Sequence, residues 1–518
     1  MAAGLDQLLL VAMPLVPALG AVAAGVVPAT RGPAIRAIGW TFSIAALAIW
    51  LALRSSLSGD TGLLVEVRAP WVPVMGISLH LGLDGLGFMM AGLISFVGVT
   101  GAVGTLPRQE RGDRSHIVCL LLAEAGMLGA VAAWDLILFI ACWELTLVAF
   151  FFLLGRGPEG RGVAATTRFM VASVTSSVLM WVAVLWLVRL AGSPPTFDLA
   201  ELPQRLADVQ LPALMVWMMA VGFLVRMAAL PLHTWFPVAA AEVPTAAGIL
   251  LAGGVLPLGG YGLVHVVGRL FGPTLAGQAE WFAWLGLITC LGGGLASLVQ
   301  RDLKRLLAFV CLAQLGLALA GLSAPTALSR QGGMIMLVAA GLGGTCLFLF
   351  AGVVCWARGS QRLVDIGGLW RAQPMFAGLA FAGVASAAAV PATAGFVGVY
   401  RLLAGLAVGG GAAELTAAAM VAGGVLVTGS SVVWAYRRVL GGSYQSEVWT
   451  RRRWPRRRQV GIMLLLAVVI LLAGIFPGLV TPSRGRDSAA AWMDGADALA
   501  SGSSSAADNG SGRRRGGP

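Results

Sequence analysis

The chain has 518 residues, of which 58% are hydrophobic and 11% charged, with a mean hydropathy of +0.86. A water-soluble domain carries roughly 25% charged residues, so the composition excludes a chain that lives mainly in water and points to lipid. The formal net charge of +12 therefore calls for a membrane explanation before a nucleic-acid one.

Apolar runs long enough to cross about 30 Å of hydrocarbon at 1.5 Å per residue recur along the whole chain. They lack the alternation of membrane strands. The first, Leu8 to Val27, follows a segment whose only charge is Asp6, whereas a secretory signal opens on basic residues; it reads as a retained helix. The pattern predicts an all-α polytopic membrane protein of about fourteen transmembrane helices. They fall near 8–27, 37–53, 81–105, 116–133, 135–155, 165–190, 212–237, 245–268, 281–300, 305–322, 333–356, 374–405, 416–436 and 459–480. Residues 1–115 hold helices 1–3, 116–270 helices 4–8, 271–440 helices 9–13, and 441–482 a basic loop and helix 14. Residues 483–518 are Gly-, Ser-, Ala- and Asp-rich and read as a disordered tail.

With the N-terminus outside, the inner loops carry most of the arginines, among them Arg31, Arg36, Arg108, Arg156, Arg301, Arg358 and the run RRRWPRRR at 451–458. The outer loops carry only Arg54, Arg68, Arg189, Arg205, Arg269 and Arg330, offset by acids such as Glu66, Asp198 and Glu201. This is the positive-inside bias, and it assigns the net charge to topology and to anionic headgroups, with no nucleic-acid partner.

The seventh helix contains Pro231 and Pro237, and the twelfth Pro391 with Gly395 and Gly398. The two lie five helices apart. An odd interval inverts topology, so helices 4–8 and 9–13 are expected to be two inverted five-helix repeats, each with a broken helix beside an ion path. The simpler reading is that prolines are common in membrane helices.

A charge near the bilayer centre costs at least about 2.5–3.5 kcal/mol, so it marks function and needs a partner. Glu124, Glu144 and Arg226 are such positions. Glu144 lies about 13 Å along its helix from Asp135, and Arg226 at comparable depth, so the two are expected to form a buried pair; a fixed salt bridge between helices is the competing reading. His233, just after Pro231, titrates in the right range for a proton relay, or simply packs against the break. Lys304, the sole lysine, is either a relay residue or an inner-face anchor. His80, His116 and His265 receive no role. The six cysteines are scattered through apolar runs without a CxxC pair, and no glycine-rich nucleotide loop follows a strand pattern, so no metal or cofactor is expected.

The motifs LGLDGL (81–86), LLAEAGMLGAVAAWDLILFIACWELTL (121–147), LPLHTWFP (230–237), EVPTAAGILLAG (242–253), GYG (260–262), DLKRLLAF (302–309), LFLFAG (347–352), GGL (367–369) and PATAGFVG (391–398) together resemble the antiporter-like subunits of respiratory complex I. The resemblance is closest to subunit M, with cousins in Mrp-type cation/proton antiporters and membrane-bound hydrogenases. It spans roughly 80 to 405 and implies fourteen helices with inverted repeats and broken seventh and twelfth helices. It also implies a row of protonatable residues at mid-membrane, other membrane subunits as partners, a bacterial plasma membrane, and a quinone bound elsewhere in the assembly.

Carried over by position, Glu144 matches the fifth-helix glutamate and Glu124 the fourth-helix acid. The seventh-helix lysine is Arg226 here, the eighth-helix lysine falls on Pro257, later histidines on Gln314 and Ala340, the twelfth-helix acid on Val399, and the residues after HTW-x-P on Val238 and Ala241. Arginine effectively never gives up its proton, and Pro257, Ala340 and Val399 have none to give. Three readings follow: a coupling subunit of a complex I-like oxidoreductase, a non-pumping structural paralogue in such a complex, and an Mrp-type antiporter subunit. Any enzyme label belongs to the assembly, since this chain offers no redox centre.

Overall fold

A computed structural model describes residues 2–54, 63–104, 113–155, 161–441 and 457–479. The expected tail, and the part of the basic run before Arg457, lie outside the described residues.

Among the described residues, twelve continuous helices are long and apolar enough to cross a membrane. In chain order they are α1 (Ala2–Val26), α2 (Gly32–Leu53), α3 (Gly85–Gly104), α4 (Asp113–Ala132), α5 (Leu136–Leu154) and α6 (Arg161–Leu190). After an interrupted pair, α7 (Ala213–Met227) and α8 (Trp235–Glu242), comes α9, a continuous run over Thr245–Gly272. Then follow α10 (Ala279–Leu298), α11 (Leu303–Leu322) and α12 (Ala327–Arg358). A second interrupted pair, α13 (Pro374–Ala387) and α14 (Ala394–Gly409), precedes α15 (Ala412–Leu440) and α16 (Arg457–Ile475). The chain is a multi-pass helical membrane protein. Its centre is α3, α9 and α12, buried along nearly their whole length, while α1, α2 and α15 present broad exposed faces.

One expectation fails in the loop between α2 and α3. Residues Val65–Val72 (β1) and Ile77–Leu83 (β2) form an antiparallel hairpin, with Arg68 opposite His80 and Val65 opposite Leu83. The apolar run from Leu81 predicts the start of the third helix; instead Asp84 ends the strand and accepts the Gly87 amide through Oδ1 at 2.6 Å, capping α3, which starts at Gly85.

Both interruptions fall where proline was noted. In the first, α7 closes on Ala228 at φ 57, a left-handed conformation that costs a non-glycine residue about 1–2 kcal/mol and is held by its surroundings. Thr289 Oγ1 of α10 accepts the freed Leu230 amide at 3.1 Å, and Trp235 Nε1 donates back across the gap to the Val225 carbonyl at 2.8 Å. In the second, Ala389 and Ala392 have φ 51 and 69. Thr393 caps α14, and Gly474 of α16 lies so close to the Ala392 carbonyl that an added Cβ would sit 2.4 Å from it.

A further correspondence links α5 and α11. Each is N-capped by an aspartate, Asp135 and Asp302, and each cap sits in an isolated β-bridge, Asp135 to Asp198 and Asp302 to Arg362. The first bridge is at the hairpin end of the bundle, the second at the end that holds Lys304.

Candidate functional site

Arg226 occupies the last turn of α7, a position created by the break, where its charge faces the negative end of the half-helix dipole. Its side chain is 1% exposed. The guanidinium lies over the Trp143 ring at 4.4 Å and Nη1 donates to Thr146 Oγ1 at 3.2 Å. Its Nε and Nη2 have no hydrogen-bond partner. Trp143 and Thr146 share one face of α5, and Glu144, next in the chain after Trp143, projects from the adjoining face. The expected direct pair does not form: among the described residues the two side chains share neither an ion pair nor a hydrogen bond. The half-buried Glu144 leaves Oε1 without a partner. The reason lies in the helix geometry: the contacts Arg226 makes are to residues 143 and 146, which stand one turn apart on one face of α5, and residue 144 projects from a different face.

Glu124 is fully buried and receives a hydrogen bond from Ser43 Oγ of α2 at 2.6 Å, leaving Oε1 unpartnered. Gly98 of α3 makes the space; a Cβ there would lie 2.2 Å from the Glu124 Cδ. Two residues on, Gly126 lets α4 press against Cys142 and Thr146 of α5, which puts Glu124 and Glu144 at similar depth.

Lys304 is buried at one end of the bundle, and its Nζ donates to the Val243 carbonyl at 2.9 Å, while Gln361 Nε2 takes the Ala241 carbonyl at 2.9 Å. Together they satisfy the C-terminus of α8, a role that suits a cation. His233 sits half-buried in the first break with Nδ1 unpartnered and its ring 6.1 Å from that of Phe309. No hydrogen bond among the described residues joins any two of Glu124, Glu144, Arg226, His233 and Lys304.

Beyond them, Pro257, Ala340 and Val399 are buried apolar positions. Pro257 follows a π-helical turn, Leu251–Val255, and a second spans Leu263–Gly268; the wide turns absorb the missing proline amide. Gln314, in mid-α11, is 1% exposed with both amide atoms unpartnered, near Gly343 and Ser386 at the second break.

Sequence reasoning missed a polar cluster at the hairpin end. His265 is buried, stacks on Tyr261 at 4.8 Å and meets Trp134 edge-on at 5.2 Å. Arg269 ion-pairs with Asp84 and covers the same Trp134 at 4.3 Å. His80 joins Asp198. The signal present in the sequence was the placement of two of its four histidines near helix ends at this side.

Residues 133–425, more than half of the chain, match the family model described as NADH:quinone oxidoreductase/Mrp antiporter, TM. The chain belongs to this family. Relatives named NADH-quinone oxidoreductase subunit M include the Pseudomonas aeruginosa protein, 29% identical over 454 residues and covering 84% of this chain and 87% of that one. The Escherichia coli protein is 28% identical over 458 residues, covering 86% and 89%. Among solved structures, respiratory complex I from Thermus thermophilus with bound NADH holds a chain that is 25% identical and superposes with a TM-score of 0.81 over 94% of this chain and 99% of its own length. A chain of the Mrp complex from Dietzia sp. DQ12-45-1b, 22% identical, shares the fold with a TM-score of 0.83 over 94% and 98%. The matched region includes Glu144 on α5 and Arg226 on α7 and begins after Glu124 on α4.

Proposed function

We propose that the chain is the antiporter-like membrane subunit of a proton-translocating NADH–quinone oxidoreductase in a bacterial plasma membrane, with the hairpin end outside. The observation that carries this reading is the half-buried carboxylate of Glu144 held beside the fully buried Arg226 at a helix break, an arrangement costly in lipid unless it handles ions. The relatives named subunit M, matched over most of their length, supply the substrate class. Glu144 is the protonatable centre, Arg226 sets the field around it, and Glu124 is a second acid at its level. His233 serves the break, and Lys304 holds the inner end of α8. Electrons and quinone belong to other subunits.

The two interrupted helices, added to the twelve continuous ones, support fourteen spans. The matched aspartate caps and β-bridges of α5 and α11, at opposite ends of the bundle, support inverted repeats over 116–270 and 271–440. A structural, non-pumping role is the second reading, favoured by one feature: the carried-over positions Pro257, Gln314, Ala340 and Val399 bear no titratable side chain. Purification of the tagged chain in mild detergent tests the assembly. Co-purification of NADH-oxidising and quinone-reactive subunits is the expected result; co-purification of cation/proton antiporter subunits alone would refute it.

A further inference from the structure

Four charged side chains surround His80 where the hairpin meets the loop after α6. The imidazole is completely buried. Its Nδ1 lies 2.9 Å from Asp198 Oδ2, and its Nε2 lies 2.9 Å from Glu66 Oε1, close enough for an ion pair though off the ring N–H direction. Asp198 is 1% exposed, whereas Glu66 is 45% exposed. Arg68 holds Asp198 at 2.9 Å and also contacts Glu201, and the Ala200 amide donates to Asp198 Oδ1 at 2.8 Å. On the membrane side, Trp134 packs against His80 at 5.9 Å and against His265 at 5.2 Å. His265 Nε2 faces the Ala133 carbonyl at 3.1 Å. A carbonyl only accepts, so the neutral ring carries its proton on Nε2 and presents Nδ1 as a buried base without a partner.

The two histidines differ in a way that matters for proton movement. One ring nitrogen of His265 is committed to a carbonyl, so this ring can store a proton but not hand it through. His80 has a carboxylate at each nitrogen, one sealed in the protein and one in contact with water. We propose that His80 is a proton bridge from buried Asp198 to the aqueous surface at Glu66, which makes the hairpin and residues 196–202 the outer proton port of this chain. A proton arriving on Asp198 passes to Nδ1, and the proton on Nε2 leaves to Glu66, once that exposed carboxylate swings into line with the N–H, and then to water. One proton enters and one departs, no electron moves, and the ring reorients to restore the starting tautomer. The Asp84–Arg269 ion pair beside His265 keeps the region below the bridge neutral overall.

The bridge rests on the pumping role proposed above, and the test separates the two. The measurement is protons delivered to the lumen per electron pair in inverted membrane vesicles carrying the assembled complex, with uncoupled NADH oxidation as a check on assembly. Glu144→Gln reports on pumping by this subunit. Glu66→Gln keeps the size of the side chain and a polar oxygen beside His80 Nε2 but cannot take up its proton, so a purely structural contact would survive the change. The expected result is that Glu66→Gln lowers the stoichiometry to the value found for Glu144→Gln at unchanged uncoupled turnover, and that Glu66→Asp restores it. His80→Asn is expected to match Glu66→Gln; if it fails to assemble, the glutamate pair decides. Wild-type stoichiometry in Glu66→Gln together with a reduced value in Glu144→Gln would overturn the bridge and leave the pumping role standing. No effect of Glu144→Gln would overturn both.

Discussion

Arg226 and Glu144 are neighbours that do not touch: the guanidinium rests on Trp143 at 4.4 Å and on Thr146 at 3.2 Å, which share one face of α5, while Glu144 leaves from another, roughly 100° round the helix from Trp143. The acid thus keeps its own proton-binding oxygens free while a fixed positive charge stands near. A direct bidentate pair would tie those oxygens up.

Energetic coupling between the two follows from this arrangement. Removing one of two buried charges that compensate each other costs about 3–5 kcal/mol when the pair is close, and less is expected across a gap. Arg226→Met should lower the detergent melting temperature of the assembled protein, and Glu144→Gln combined with Arg226→Met should recover most of the loss. Additive losses in that cycle would show that the two charges do not sense each other.

Gly98→Ala tests the berth of Glu124. A methyl group 2.2 Å from the Glu124 Cδ forces the carboxyl out of place at a cost of about 1–3 kcal/mol. The expected result is a lower melting temperature that Glu124→Ala in the same chain largely relieves. Equal melting of wild type and Gly98→Ala would mean that the carboxyl has room to move.

The hairpin end should loosen in acid. Burial pushes the Asp198 carboxyl up, but the His80 hydrogen bond, the Ala200 amide and the charges of His80 and Arg68 outweigh it and leave the group below its ordinary range. The hydrogen bond from Arg68 lowers Glu201 in the same direction. A depressed carboxyl contributes stability that is complete above its unfolded value of about 4 and is lost as pH falls through the lower folded value. Protection of the amides of residues 65–83, measured against their intrinsic exchange rate at each pH, should therefore fall below about pH 4, and Asp198→Asn should abolish the step. A pH-independent protection factor would contradict the clasp.

The helices could be read from sequence because a membrane span is specified locally, by some twenty apolar residues in a row. The breaks could be read because Pro231 and Pro391 remove amides from their helices. The hairpin is missed although ISLHLGL alternates apolar residues with Ser, His and Gly throughout, the pattern of a half-buried strand; its last residues run into the apolar stretch of α3, which hides Asp84 as the strand end. The site divides the same way. Mid-helix charges such as Glu144 stand out against lipid-facing neighbours. The partners of His80 and His265 lie 118 and 132 residues away in sequence, and a lone histidine near a helix end says nothing of them. Lys304 was legible as a singular residue, yet its hold on the Val243 carbonyl across 61 residues depends on how α8 ends. The Glu144–Arg226 relation was legible in depth but not in contact, because depth follows from counting along helices and contact from their rotation.

The most direct test of the account is the number of protons moved per electron pair by the assembled complex when Glu144 is replaced by glutamine, which keeps the size and polarity of the side chain and removes only its titration. The account predicts fewer protons per electron pair with electron transfer in uncoupled vesicles preserved. A stoichiometry equal to wild type would contradict it and leave the chain as a scaffold.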